Sequence, residues 1–124
     1  MKEIAYIHSE AYPAGESKHG PIALIEEDYP VVFIAPEDQT HKRMIGSIME
    51  MKTRGATTIG VIEEGDKEIG ELVKWKIEIP KGYSEMITTI PYVVPLQLLA
   101  YYTAVRKNLS PDMPRNLSKS VTVL

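Results

Sequence analysis

The period of the apolar positions changes several times along the chain, and each change marks an element. Near the start, Ile4, Ile7 and Ala11 recur at helical spacing with Ala5 and Tyr12 beside them, which predicts a helix from residue 2 to about residue 12. On such a helix Glu3 and Glu10, seven positions apart, share one face with Tyr6 between them. No capping residue precedes Lys2, so the pattern begins almost inside the helix; we expect the start to be a cut, or an internal start, within a longer sequence. Pro13 and Gly15 loosen the pattern, and Glu10 to Pro21 (EAYPAGESKHGP) reads as a polar, irregular loop followed by a short apolar turn over 22–25.

Next comes PVVFIA, residues 30–35, a continuous β-branched run that predicts a strand buried on both faces. Pro36 is expected to open a helix reaching about Arg54, with Met44, Ile45, Ile48, Met49 and Lys52 as its stripe, Glu50 paired with Arg54, and Gly55 as its stop. TTIGVI, residues 57–62, predicts a second buried strand, and 63–71 reads as an acidic loop. Val73, Trp75, Ile77 and Ile79 alternate with Lys74, Lys76 and Glu78, the signature of a strand with one wet face near a sheet edge. From about Glu85 to Lys107 the chain is helical and apolar nearly all round, as in a buried helix, with Pro91 fit for a first turn and Pro95 for a kink. Strands alternating with helices predict an α/β three-layer sandwich on a parallel sheet, although three strands are few for one.

Composition narrows the function classes. Hydrophobic content of 44% and charged content of 25% are ordinary for a folded domain, and 124 residues suffice for one modest core. A net charge of -3 argues against nucleic acid as the partner. No apolar run has transmembrane length, which argues against a membrane partner. With no cysteine, disulfides and thiolate chemistry are excluded, and three histidines without a His-x-x-x-His pair give no metal pattern; neither a metal nor an organic cofactor is expected. A cytoplasmic location fits this profile.

Three ionisable groups stand out. His19 lies in Lys18-His19-Gly20-Pro21, where glycine and proline can hold an imidazole at an exposed turn. Glu3 could shuttle a proton between adjacent carbons, and Lys119 could form a Schiff base if its amine were desolvated. By spacing alone, each reads first as an ordinary surface group: a loop histidine, a solvated helix charge and a tail lysine. His8 reads as a packing or capping histidine, His41 as helix surface, and Tyr101 and Tyr102 as core.

Three blocks, KEIAYIHSEAYPAGESKHGPIALI, PLQLLAYYTAVRKN and PRNLSKSVTVL, together resemble the C-terminal part of the isomerising glutamine:fructose-6-phosphate aminotransferases. The first is shared with other phosphosugar isomerase (SIS) domains; the closing R-N-L-x-K-S-V-T is more specific. The resemblance implies a flavodoxin-like SIS fold without the strand and helix that open the domain: residues 1–113 as a partial second SIS domain and 114–124 as a catalytic tail. It further implies that Glu3 moves a proton between C1 and C2, that His19 opens the sugar ring in the neighbouring subunit's site, and that Lys119 forms the Schiff base. Arg115 and Ser118 would border the sugar. The implied partners are fructose-6-phosphate and glucosamine-6-phosphate, a second copy as homodimer, a glutaminase domain and a first SIS domain. The implied reaction turns fructose-6-phosphate and glutamine into glucosamine-6-phosphate and glutamate, and the chain alone is expected to be inactive. The alternative is a stand-alone SIS-like module that senses a phosphosugar.

Overall fold

A computed structural model describes residues 1–84 and 86–115. Its helices are α1 (Lys2–Ala5), α2 (His41–Lys52), α3 (Lys67–Leu72) and α4 (Thr89–Arg106), and its strands are β1 (Pro30–Ala35), β2 (Thr57–Glu63) and β3 (Trp75–Ile79). Two 3-10 turns, Ala14–His19 and Pro21–Leu24, precede β1.

The strands form a parallel sheet in the order β1-β2-β3. Phe33 lies opposite Gly60 and Ala35 opposite Ile62. Because side chains alternate along a strand, these positions share one face, and that face carries the core: Phe33, Ala35 and Ile62 pack with Ile48 and Met51 of α2, Ile69 of α3, and Val73. Gly60 matters here, since a Cβ would stand 3.2 Å from the Val73 methyl carbon Cγ2. The second strand is buried along most of its length, as its sequence predicts. The first is not buried on both faces: Phe33 and Ala35 are enclosed, but Ile34 on the opposite face is 42% exposed. β3 occupies an end of the described sheet, as its alternation predicts, and Trp75 is 63% exposed.

Two helix boundaries differ from expectation, and each has an identifiable partner. The first helix ends at Ala5, where Tyr6 turns left-handed (φ 53°) and the Ala5 carbonyl accepts from Lys107 Nζ at 2.7 Å instead of from the next turn. Glu10 therefore lies beyond the helix, and Glu3 and Glu10 share no helical face. α2 begins at His41, five residues after Pro36, because Asp38 Oδ1 accepts from both the Thr40 amide (2.7 Å) and the Thr40 hydroxyl (2.6 Å), and so winds the segment into a turn. On α2 the buried residues are Ser47, Ile48 and Met51, while Met49 is exposed. Glu50 does not pair with Arg54, whose guanidinium donates to the Glu50 backbone carbonyl at 2.6 Å.

The acidic stretch 63–71 is not all loop. Asp66 caps α3 by accepting from the Ile69 amide at 3.1 Å, and Ile69 is fully buried. α4 carries Pro91 in its first turn and Pro95 inside it. It is enclosed along one side only: Tyr92, Ala100 and Ala104 are buried, but Ile90, Val94, Leu98, Tyr101 and Val105 form an exposed apolar stripe. Tyr101 and Tyr102 are thus surface residues, in edge contact with ring centroids 5.3 Å apart. By their contacts the residues group into two units, one of 1–11 with 94 onward and one of 12–93.

Candidate functional site

The larger unit presents His19. Pro13 enters extended (ψ 135°), and its carbonyl accepts from the Glu16 amide at 2.8 Å, which starts the tight turn. Ser17 is 6% exposed, and its hydroxyl donates to the Ala14 carbonyl at 2.7 Å, closing the turn from inside. Gly20 then takes φ 142° and ψ -56°, a conformation that side chains disfavour, and Pro21 opens the next turn. His19 is left exposed at the end of a stiff turn, as its neighbours predict. Two residues of α2, three positions apart, fasten that turn. Lys18 Nζ lies 2.9 Å from Glu50 Oε1, and the Ser47 hydroxyl, which also approaches Arg43 O, stands 3.5 Å from Ala14 O.

The smaller unit holds Glu3, exposed on α1, together with Arg115. The Arg115 guanidinium carbon sits 4.0 Å from the centroid of the Tyr6 ring, and its backbone amide donates to the Tyr6 hydroxyl at 2.7 Å. The left-handed Tyr6, three residues after Glu3, is thus where the start of the chain meets residue 115. Ser118 and Lys119 lie outside the described residues.

A shallow cleft of about 150 Å³ opens beyond the carboxyl ends of β1 and β2, where ligands of parallel α/β sheets commonly bind. Glu37, Asp38 and Glu63 line it with Gln39, Tyr83 and Thr88, and among the described residues no basic side chain does. Tyr92 is 5% exposed, and its hydroxyl has no partner among the described residues. Burial, and then the charges of Glu63, Asp66, Asp38 and Glu37, push its phenol up to about 12. Such a rim of carboxylates repels a phosphate.

Two histidines depart from expectation. His8 neither packs nor caps; its side chain is 77% exposed, 3.5 Å from Glu10. His41 is no surface residue: its side chain is 12% exposed and its Nε2 lies 2.8 Å from Asp66 Oδ2, joining the first turns of α2 and α3. Among the described residues, no group of three or more His, Asp or Glu is arranged to hold a metal ion. Sequence reading passed over Asp66 as one acid in a loop of acids. The pointer to it is Ile69 and Leu72, which follow at helical spacing.

A parallel α/β sheet followed by a long carboxyl-terminal helix defines an α/β domain, and the SIS domain model matches residues 1–107. The chain belongs to the SIS domain family. Glutamine--fructose-6-phosphate aminotransferase [isomerizing] of Pyrobaculum aerophilum is 50% identical over 123 residues, which cover 99% of this chain and 20% of that protein. The protein of the same name from Thermus thermophilus has the same identity and the same coverage. The chain therefore spans about a fifth of the length of these relatives. The C-terminal domain of the glucosamine-fructose-6-phosphate aminotransferase of Francisella tularensis superposes with a TM-score of 0.72 at 36% identity, over 88% of this chain and 31% of that one. Glucosamine-6-phosphate deaminase of Thermotoga maritima superposes with a TM-score of 0.61 at 29% identity, over 97% of this chain and 33% of that one. The two solved structures share the fold of this chain, and all four relatives are enzymes by name.

Proposed function

We propose that this chain is the closing part of the isomerase region of a glutamine-dependent fructose-6-phosphate aminotransferase, working in the cytoplasm. The observation that carries the reading is identity of about one residue in two, spread over 99% of the chain, with enzymes of that name. Residues 1–113 act as part of the second SIS domain and 114–124 as the tail. Lys119 attacks the C2 carbonyl of the open ketose; a carbon–nitrogen double bond forms and water leaves. Ammonia from glutamine then takes the place of the lysine at C2. Glu3 takes a proton from C1 and returns one to C2, which converts the ketose skeleton into the aldose. His19 moves the proton that opens the sugar ring, in the site of a second copy. Arg115 and Ser118 border the sugar.

Two local facts support these roles. His19 ends a turn fastened to α2. Arg115 is docked on Tyr6 beside Glu3, and Lys119 follows four residues later in the sequence, a span of at most about 14 Å of extended chain. The acidic cleft cannot hold the substrate's phosphate, so we assign that task to a first SIS domain in the same enzyme, with a glutaminase domain supplying ammonia.

The test is a chimera in which this chain replaces the matching segment of the Thermus thermophilus relative. We expect glucosamine-6-phosphate to form, borohydride to trap the ketose on Lys119, and Lys119→Ala to abolish both. A chimera whose full activity survived Lys119→Ala would sink the proposal. A sensing module would bind the phosphosugar but yield no borohydride adduct.

A further inference from the structure

We infer that Glu50 is a positioning residue for His19, acting through Lys18. Lys18 precedes His19 in the turn, and its ammonium lies 2.9 Å from Glu50 Oε1, across 32 positions of sequence. The other carboxylate oxygen, Oε2, is buried without a partner among the described residues. A carboxylate with one oxygen desolvated and unpaired is held at some cost to stability. The pair itself returns little, because both side chains are more than a third exposed. Weak stabilisation at a local cost is what a residue retained for placement would show.

The geometry says what is placed. The turn Ala14–His19 has its own lock in the Ser17 hydroxyl bond to Ala14 O, but that bond holds only the amino end of the turn. Ser47, near Ala14 O at 3.5 Å, touches the same end. At the His19 end, the Lys18 contact with Glu50 is the attachment to α2 among the described residues. The backbone immediately after is Gly20, which imposes no conformation of its own. Without Glu50, the carboxyl end of the turn would keep its own 3-10 backbone but lose this tie of Lys18 to α2. An error of about 1 Å in a reacting group can cost on the order of a hundredfold in rate.

This inference rests on the proposed role of His19, and its test separates the two. In the chimera, Glu50→Gln keeps the shape of the side chain and removes its charge. It should lower kcat about tenfold while KM for fructose-6-phosphate stays within about twofold. In a His19→Ala background the same change should have no further effect, because a residue that acts through the imidazole cannot act once that group is gone. Exchanging the charges, Lys18→Glu with Glu50→Lys, should recover part of the loss. Full kcat in Glu50→Gln, or an unchanged tenfold loss in the His19→Ala background, overturns the inference. If His19→Ala itself leaves kcat intact, the assigned role of His19 falls. The clamp is then judged in the 124-residue chain by amide hydrogen exchange: Glu50→Gln should speed exchange at Lys18 and His19 about tenfold, and unchanged exchange overturns it.

Discussion

Asp66 uses both carboxylate oxygens at once. Oδ1 caps α3 and Oδ2 meets His41, and the side chain is only 4% exposed. Asp66→Ala removes the cap and takes its 2.8 Å partner from a largely buried imidazole, so it should cost about 2–4 kcal/mol in urea unfolding, whereas Asp66→Asn, which keeps a capping oxygen, should cost about half of that. Tyr92 makes the opposite case. Its hydroxyl is buried and unpaired, so Tyr92→Phe should raise neutral-pH stability by up to about 1 kcal/mol. The alkaline limb carries a sign. The folded phenol, at about 12, lies above the ordinary value of 10.0, so the folded state holds the proton longer. Its contribution is whole below pH 10 and is lost as pH rises from there to about 12. Thermal melts across that window should fall more steeply for the native chain than for Tyr92→Phe.

At the level of elements, Gly55 shows a reading that the structure keeps. It closes α2 at φ 92°, and a Cβ there would stand 3.0 Å from the Glu27 Cα. Gly55→Ala should therefore destabilise by about 1–3 kcal/mol, with the midpoint of denaturation as the readout. The strands were legible because each is a short β-branched or alternating run, and a parallel sheet leaves few other uses for such runs. The helix boundaries were not, because they depend on partners far away in sequence or on side-chain turns that periodicity does not register. Lys107 takes the carbonyl of Ala5, and Asp38 winds the segment before His41. α4 misled for another reason. An apolar circumference says that a helix can be buried, but not that this chain supplies every surface to do it; Ile90, Val94 and Leu98 are uncovered here.

At the level of the molecule, the candidate site was legible in part. The turn around His19 follows from glycine and proline chemistry, whereas its attachment to Glu50 joins residues that no local pattern links. Glu3 and Lys119 read first as ordinary surface charges, and the resemblance is what gives them roles. The chain spans a fifth of its relatives, and the cleft at the carboxyl ends of its strands is acidic. We therefore expect no measurable turnover from the isolated chain with fructose-6-phosphate and ammonia in a coupled assay, because remote binding of the phosphate is what orients such a sugar. We also expect self-association. Ile34, Trp75 and the stripe on α4 leave apolar area open, and sedimentation velocity at high concentration should reveal species heavier than the monomer.

The parallel register sets an order for folding. Ile59 meets Trp75 from 16 positions away, whereas Pro30 must wait for Thr57, 27 positions on. Loop-closure entropy separates the two events by only about 0.5 kcal/mol, but no strand can pair before its crossover helix has been synthesised. Of the three described strands, β1 therefore emerges first on the ribosome and waits longest. A pause in translation after Ala35 would prolong that wait, and a chaperone that grips extended apolar segments should be caught on Val31–Ile34 before β2 or β3.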